Sequence, residues 1–167
     1  MKLFFLSLIA FFFISLLSCS KKDNEPAVSY YVRFKLNDTL INHSGLNVCS
    51  LKPNTTIAGT NDFLFSSNSV KTNLTFGIHK NGSIRTGTYS SLDDPTNFVS
   101  AEFYKDQGQT AYSTHITFMS PSPFFITLHE MNEQYIKGTF TGAYLYTDDE
   151  SDSVKITDGE FLVRRSK

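Results

Sequence analysis

The chain has 167 residues, with fifteen Lys and Arg against sixteen Asp and Glu, a formal net charge of −1 and no Trp. No basic stripe runs through it, so a nucleic-acid role has no electrostatic support. It contains two cysteines, Cys19 and Cys49, and if Cys19 is otherwise committed, disulfides are excluded as a source of stability.

Met1-Lys2 supplies one positive charge, and residues 3–17 form an apolar run rich in Phe and Leu, interrupted only by Ser7 and Ser15. At about fifteen residues the run is too short to cross a hydrocarbon core of about 30 Å, and it reads as a secretory signal. Small Ser18 directly precedes Cys19, with Leu16 and Leu17 before it. Leu16-Leu17-Ser18-Cys19 resembles the bacterial lipobox, which implies cleavage before Cys19, diacylglycerylation of its sulfur and acylation of its new amino group by a chain such as palmitate. Each buried CH₂ contributes about 0.8 kcal/mol, so two or three chains on one residue hold a protein stably. The mature chain is therefore expected to be anchored to a membrane and not to span it. Removing residues 1–18 takes away Lys2 and no acid, leaving fourteen basic and sixteen acidic residues and a net charge of about −2.

Ser20-Lys21-Lys22-Asp23-Asn24-Glu25-Pro26 is short, polar and proline-terminated, which suits a flexible tether. It resembles the lysine-then-acidic tags that send Bacteroidetes lipoproteins to the outer face of the outer membrane, with Asn24 between the acids. The expected organisation is a signal at 1–18, a lipidated cysteine and tether at 19–28, and one domain at 29–167. Cys49 has no His or Asp at a recognised spacing and is expected to be a buried apolar filler.

The domain reads as strands. Tyr30, Val32, Phe34 and Leu36 alternate with Tyr31, Arg33 and Lys35, the period-two pattern of a half-buried strand, and Asn37-Asp38 turns the chain into a return at Leu40-Ile41. Further strands are expected at 46–51, at 55–65 with an interruption around 59–62, and at 70–78. Asn81-Gly82 is a two-residue hairpin signal before a strand at 83–90. Residues 91–97 form the longest loop in the middle. Strands at 98–105 and 110–119 flank a turn at Asp106-Gln107-Gly108. Pro121 and Pro123 break the next junction, a strand resumes at 124–131, and Asn132-Glu133-Gln134 turns into one long strand at 135–146.

On that long strand Ile136, Gly138, Phe140, Gly142, Tyr144 and Tyr146 share a face, and the two glycines leave room for an aromatic ring or backbone to approach. In the last strand Val154 and Ile156 are apolar at even positions, whereas Phe161 and Val163 are apolar at odd ones. The phase slip with Gly159 between them predicts a β-bulge at Asp158-Gly159 in a continuing strand, against a competing hairpin that would leave two short stubs. No segment repeats apolar residues at helical spacing. About ten short strands predict an all-β fold, an antiparallel β-sandwich or a closed or partly closed β-barrel.

Ile84-Arg85-Thr86-Gly87-Thr88-Tyr89, Ala101 to Tyr104, the segment ending Lys137-Gly138-Thr139-Phe140, and Ile156-Thr157-Asp158-Gly159-Glu160-Phe161 resemble an uncharacterised family of Bacteroidetes lipoproteins. The resemblance covers the second half of the domain plus the signal; members share a lipobox and a single β-rich domain, so it implies a location and a fold class and supplies no site residues. Asp38-Thr39-Leu40 and Asp152-Ser153-Val154 also resemble the short O-glycosylation sequon of exported Bacteroidetes proteins.

Chemistry-bearing groups are sparse. His43, His79, His115 and His129 have no zinc spacing, and no metal or cofactor is expected. His115 with Ser113 and Thr117, and His129 with Thr127, would form one polar face able to take a metal or ligand if their strands pair; solvent-facing or locally hydrogen-bonded histidines are the simpler reading. Asp148-Asp149-Glu150-Ser151-Asp152 is expected to be a solvated hairpin loop, since it lacks the positions and turn glycine of an EF-hand Ca²⁺ loop. No nucleophile elbow, P-loop or His-Glu-x-x-His sequence occurs, so no enzyme is indicated. Tyr104, Tyr112, Tyr135, Tyr144 and Tyr146 are the candidate ligand contacts, because aromatic faces stack on sugars or peptides. The sequence thus predicts an outer-membrane lipoprotein anchored by Cys19, on the periplasmic or the surface face, that binds an envelope protein, glycan or small ligand. The alternatives are an assembly accessory of an envelope complex and an unrecognised metal-dependent or hydrolytic enzyme.

Overall fold

The computed structural model describes residues 28–44, 47–53, 60–69, 71–90, 98–106, 110–113, 124–142, 144–148 and 151–166. Cys19, the tether before Val28, the loop at 91–97, His115, Pro121 and Pro123 lie outside them. Among the described residues twelve strands run in chain order: β1 Tyr31–Leu36, β2 Thr39–His43, β3 Val48–Pro53, β4 Thr60–Asn68, β5 Thr72–Asn81, β6 Gly87–Ser90, β7 Phe98–Lys105, β8 Thr110–Ser113, β9 Phe125–Met131, β10 Tyr135–Thr141, β11 Tyr144–Tyr146 and β12 Ser153–Arg165. The fold is all-β, as the alternation predicts.

Strand β12 joins the architecture together. Along one edge it pairs with β11 and then β10; along the other it pairs with β1 and, at Arg164 and Arg165, with β3 in the one parallel match. From β3 the sheet continues through β4, β5, β7 and β8 to β11, which returns to β12, so this path closes on itself. From the other side β10 leads to β9 and β6, and β1 leads to β2. The result is a partly closed barrel in which one strand belongs to two layers.

The predicted bulge is what lets β12 do this. Its pairing with β1 shifts by one residue between Arg33 and Lys35, opposite Glu160 and Thr157, while β12 remains one strand. Asp158 takes a left-handed φ of 51°, an arrangement that kinks a strand and increases its twist. Outside the kink, Arg33 meets Glu160 at 2.7 Å and Lys35 meets Asp158 at 2.8 Å.

Local turn chemistry follows the sequence in two places. Asn37 and Asp38 both take positive φ (47° and 64°), as a type I′ hairpin requires, and Asn37 Oδ1 accepts the amide of Lys155. Asn132 Oδ1 accepts the amides of Gln134 and Tyr135, closing the β9–β10 turn.

Three expectations are corrected. Asn81-Gly82 does not close a hairpin: β5 pairs with β4 and β7, and β6 pairs with β9, so the chain leaves the sheet after Asn81. Residues 135–146 are not one strand, because Gly142 (φ 88°) separates β10 from β11. The phase changes there, so Leu145 is buried and Tyr144 is exposed, off the face of Ile136, Gly138 and Phe140. The interruption expected around 59–62 is not seen at 60–62, where β4 runs unbroken from Thr60 to Asn68; the described β8 lies between β7 and β11 and β9 between β10 and β6, while His115 and Thr117 lie outside the described residues.

The core is phenylalanine. Phe34, Phe63, Phe65, Phe76, Phe103, Phe124, Phe140 and Phe161 are fully buried. Phe76 touches the rings of Phe63, Phe65, Phe124, Phe140 and Phe161 at centroid distances of 4.3–6.3 Å, within the range where tilted and edge contacts are favourable. Rings from β1, β10 and β12 thus interlock with rings from β4, β5 and β7, and the middle of the barrel is filled with side chains.

Candidate functional site

The candidate tyrosines do not converge on one cleft. Tyr112 is buried, 3% exposed, and its hydroxyl donates to Asp152 Oδ2 at 2.8 Å. Tyr135 donates to Glu130 beside the β9–β10 turn, and Tyr104 donates to Glu102 Oε2 at 2.9 Å. In all three the hydrogen bond to a carboxylate is the main cause of a raised phenol pKa. Tyr144 and Tyr146 lie together on β11 with ring centroids 6.4 Å apart, and only Tyr144 is among the exposed large residues. Asp152 also caps the amide of Ser153 through Oδ1, so both its oxygens serve the β11–β12 hairpin. Among the described residues no group of three His, Cys, Asp or Glu is placed to hold a metal.

Cys49 is buried and free, as expected for a filler, and burial pushes its thiol pKa up to about 12. His129 is exposed and meets Thr139 Oγ1 at 3.1 Å.

His43 forms a closed polar network inside the barrel. It is fully buried, edge-on to the Phe34 ring at 5.5 Å. Ser67 Oγ–H donates to Asn47 Oδ1, so the 2.7 Å contact between His43 Nδ1 and Ser67 Oγ places the proton on Nδ1. Nε2 is then a bare acceptor, and Thr72 Oγ1–H donates to it at 2.8 Å. Asn47 Nδ2 returns to the carbonyl of His43 at 3.1 Å. Every member has a partner, so this is a network that ties β2, β4 and β5 together.

On the opposite, outward face of the sheet, β4, β5 and β7 bring together residues that no motif connects. Asp62, His79 and Phe98 are cross-strand neighbours in one row, and Leu64, Gly77 and Ser100 form the next row. Asp62 Oδ1 lies 2.9 Å from His79 Nδ1, and His79 Nε2 lies 3.4 Å from Ser100 Oγ. The imidazole stacks on Phe98 at 4.3 Å and 23°. With the carboxylate on Nδ1, that nitrogen carries the proton and Nε2 accepts from the serine hydroxyl. Gly77 passes beneath this contact, since a Cβ there would stand 3.2 Å from both Nε2 and Oγ. The His79 and Asp62 side chains retain 22% and 16% of their accessibility, so the group faces outward without being loose.

The sequence marks Asp62, His79 and Ser100 as polar positions between buried Phe63, Ile78, Val99 and Ala101, but it carries no register between strands. Their alignment therefore appears only in the folded sheet. No family model, curated protein or solved structure matches the chain.

Proposed function

We propose that this chain is a lipoprotein of the cell envelope, held at an outer membrane by acyl chains on Cys19, whose β-domain binds a partner or a small ligand. The observation that carries the anchor is the order of the N-terminal residues: an apolar run too short to span, Ser18, Cys19, and a polar tether. The resemblance of Lys137-Gly138-Thr139-Phe140 and Ile156 to Phe161 to Bacteroidetes lipoproteins supports the same reading.

The filled interior supports recognition from outside. Eight phenylalanine rings occupy the centre, so a ligand meets the outer faces or the loops of the barrel. Among the described residues the exposed large apolar ones are Val28 before β1 and Leu40, Leu64, Phe125 and Tyr144, one each on β2, β4, β9 and β11, the ordinary distribution for a protein surface. This favours a local polar site over a broad assembly interface.

The test is replacement of Cys19. Cys19→Ala abolishes incorporation of labelled palmitate and moves the protein from the membrane to the soluble fraction; lipid label persisting in that variant refutes the anchor. Protease shaving of intact cells distinguishes the two faces, since a chain displayed by the Lys21 to Glu25 segment is cut and a periplasmic one is protected.

A further inference from the structure

We propose that Ser100 is an activated nucleophile, with His79 as its general base and Asp62 as the group that positions the base, and that it accepts an acyl group from small activated esters. This goes beyond the anchored binding protein described above and does not depend on it.

The argument is geometric. A serine hydroxyl is a weak nucleophile until a neighbouring base takes its proton, and the base must present a bare nitrogen. Asp62 Oδ1 at 2.9 Å from Nδ1 holds His79 in the tautomer that bares Nε2, and Ser100 Oγ is the group that Nε2 meets, at 3.4 Å. Contacts of this kind are often long before substrate binds and tighten on binding. Phe98 stacked on the imidazole fixes the plane of the ring, and the continuous pairing of β5 with β4 on one side and β7 on the other fixes the three backbones. An alternative in which His79 merely pairs with Asp62 explains the Nδ1 contact and the stacking, but not the orientation of Nε2 towards Ser100 above a residue without a side chain.

The surroundings define the substrate class. Leu64, 44% exposed, reaches over Gly77 beside the serine and offers an apolar wall to a short acyl chain. The main chain of β5 is committed to ladders on both sides at Gly77, so it offers nothing to a developing oxyanion, and activated esters are favoured over amides. In the acylation step the Oγ–C bond forms, the bond from the acyl carbon to the leaving oxygen breaks, and the Oγ proton passes through Nε2 to the leaving alcohol. Water then attacks the acyl-serine and gives its proton to Nε2, which passes it to Oγ as the Oγ–C bond breaks, regenerating Ser100 and His79 and releasing the acid.

The experiment treats the detergent-solubilised full chain with a fluorophosphonate probe, in which an Oγ–P bond replaces P–F and fluoride leaves, and maps the label by peptide mass spectrometry. The expected result is label on Ser100, lost in Ser100→Ala and slowed about a hundredfold in His79→Gln. Asp62→Asn slows it as well. Circular dichroism confirms that the variants retain the fold. Absence of label, label at another residue, or an undiminished rate in folded His79→Gln overturns the proposal. Cys19→Ala labels at the native rate, so failure of the anchor reading and failure of this one are read separately.

Discussion

The ring of Phe161 lies over Gly138, its cross-strand partner, so closely that a Cβ on Gly138 would stand 2.5 Å from Cζ. The same strands repeat the arrangement in reverse, with Phe140 over Gly159, where a Cβ would stand 2.3 Å from the ring. Two large rings are thus seated on two bare backbones, and the bulged strand β12 packs flush against β10.

Alanine at either glycine is expected to destabilise the fold, with different severity. At Gly138 the new methyl also meets the carbonyl oxygen of Thr127 at 2.3 Å, and backbone cannot swing away. At Gly159 the nearest atoms all belong to the Phe140 ring, at 2.3–2.5 Å. We expect Gly138→Ala to cost about 3 kcal/mol or more and Gly159→Ala about 1–3 kcal/mol, measured by denaturant unfolding. Phe140→Leu combined with Gly159→Ala should show favourable coupling in a double-mutant cycle. Equal costs at the two sites would contradict the packing described.

Acid is expected to weaken the protein through His43. Burial lowers its pKa below the usual 6.5, so the unfolded chain takes up a proton before the folded one does. The network's contribution is fully present above about pH 6.5 and is lost as the pH falls from there towards the lower folded-state value. Unfolding midpoints measured between pH 7.5 and 5 should drop for the native chain. In His43→Gln the stability is lower throughout and this segment of the pH dependence is reduced; an unchanged slope would remove His43 as the cause.

The Cys49 thiol is expected to be inert in the folded state, being buried with its pKa pushed up to about 12. In Cys19→Ala, Cys49 is the one remaining cysteine. Maleimide at pH 7 should label it fully in guanidinium and negligibly in buffer. Rapid labelling of folded protein would show that the β3 position is open.

Loss of a single hydroxyl should be felt at Tyr112 and not at Tyr144. Tyr112→Phe removes the donor to Asp152 Oδ2 and is expected to cost about 1 kcal/mol, leaving the β11–β12 hairpin to its remaining bonds. Tyr144→Phe, at a 41% exposed position, should change stability by less than about 0.5 kcal/mol. Thermal unfolding of both variants checks the ranking.

Sequence alone determined the all-β class, the positions of most strands, the turns at Asn37-Asp38 and Asn132 to Gln134, and the bulge at Asp158-Gly159. These rest on local rules: alternation has a period of two, and a slip in that period needs an extra residue. It also carries the order of residues at 1–26 on which the proposed export signal and lipid anchor rest, since such signals are read as linear segments. What only the tertiary structure decided was which strands adjoin. Asn81-Gly82 has hairpin chemistry yet leaves the sheet, because β7 and not β6 occupies the edge of β5. Tyr144 and Leu145 exchange faces because Gly142 interrupts a pattern that reads as continuous. The His43 network depends on how β2 meets β4 and β5, and the Asp62, His79 and Ser100 group on register across β4, β5 and β7; both follow from the burial of Phe34, Phe63, Phe76 and Phe103 in one core, a property of the whole fold rather than of any segment.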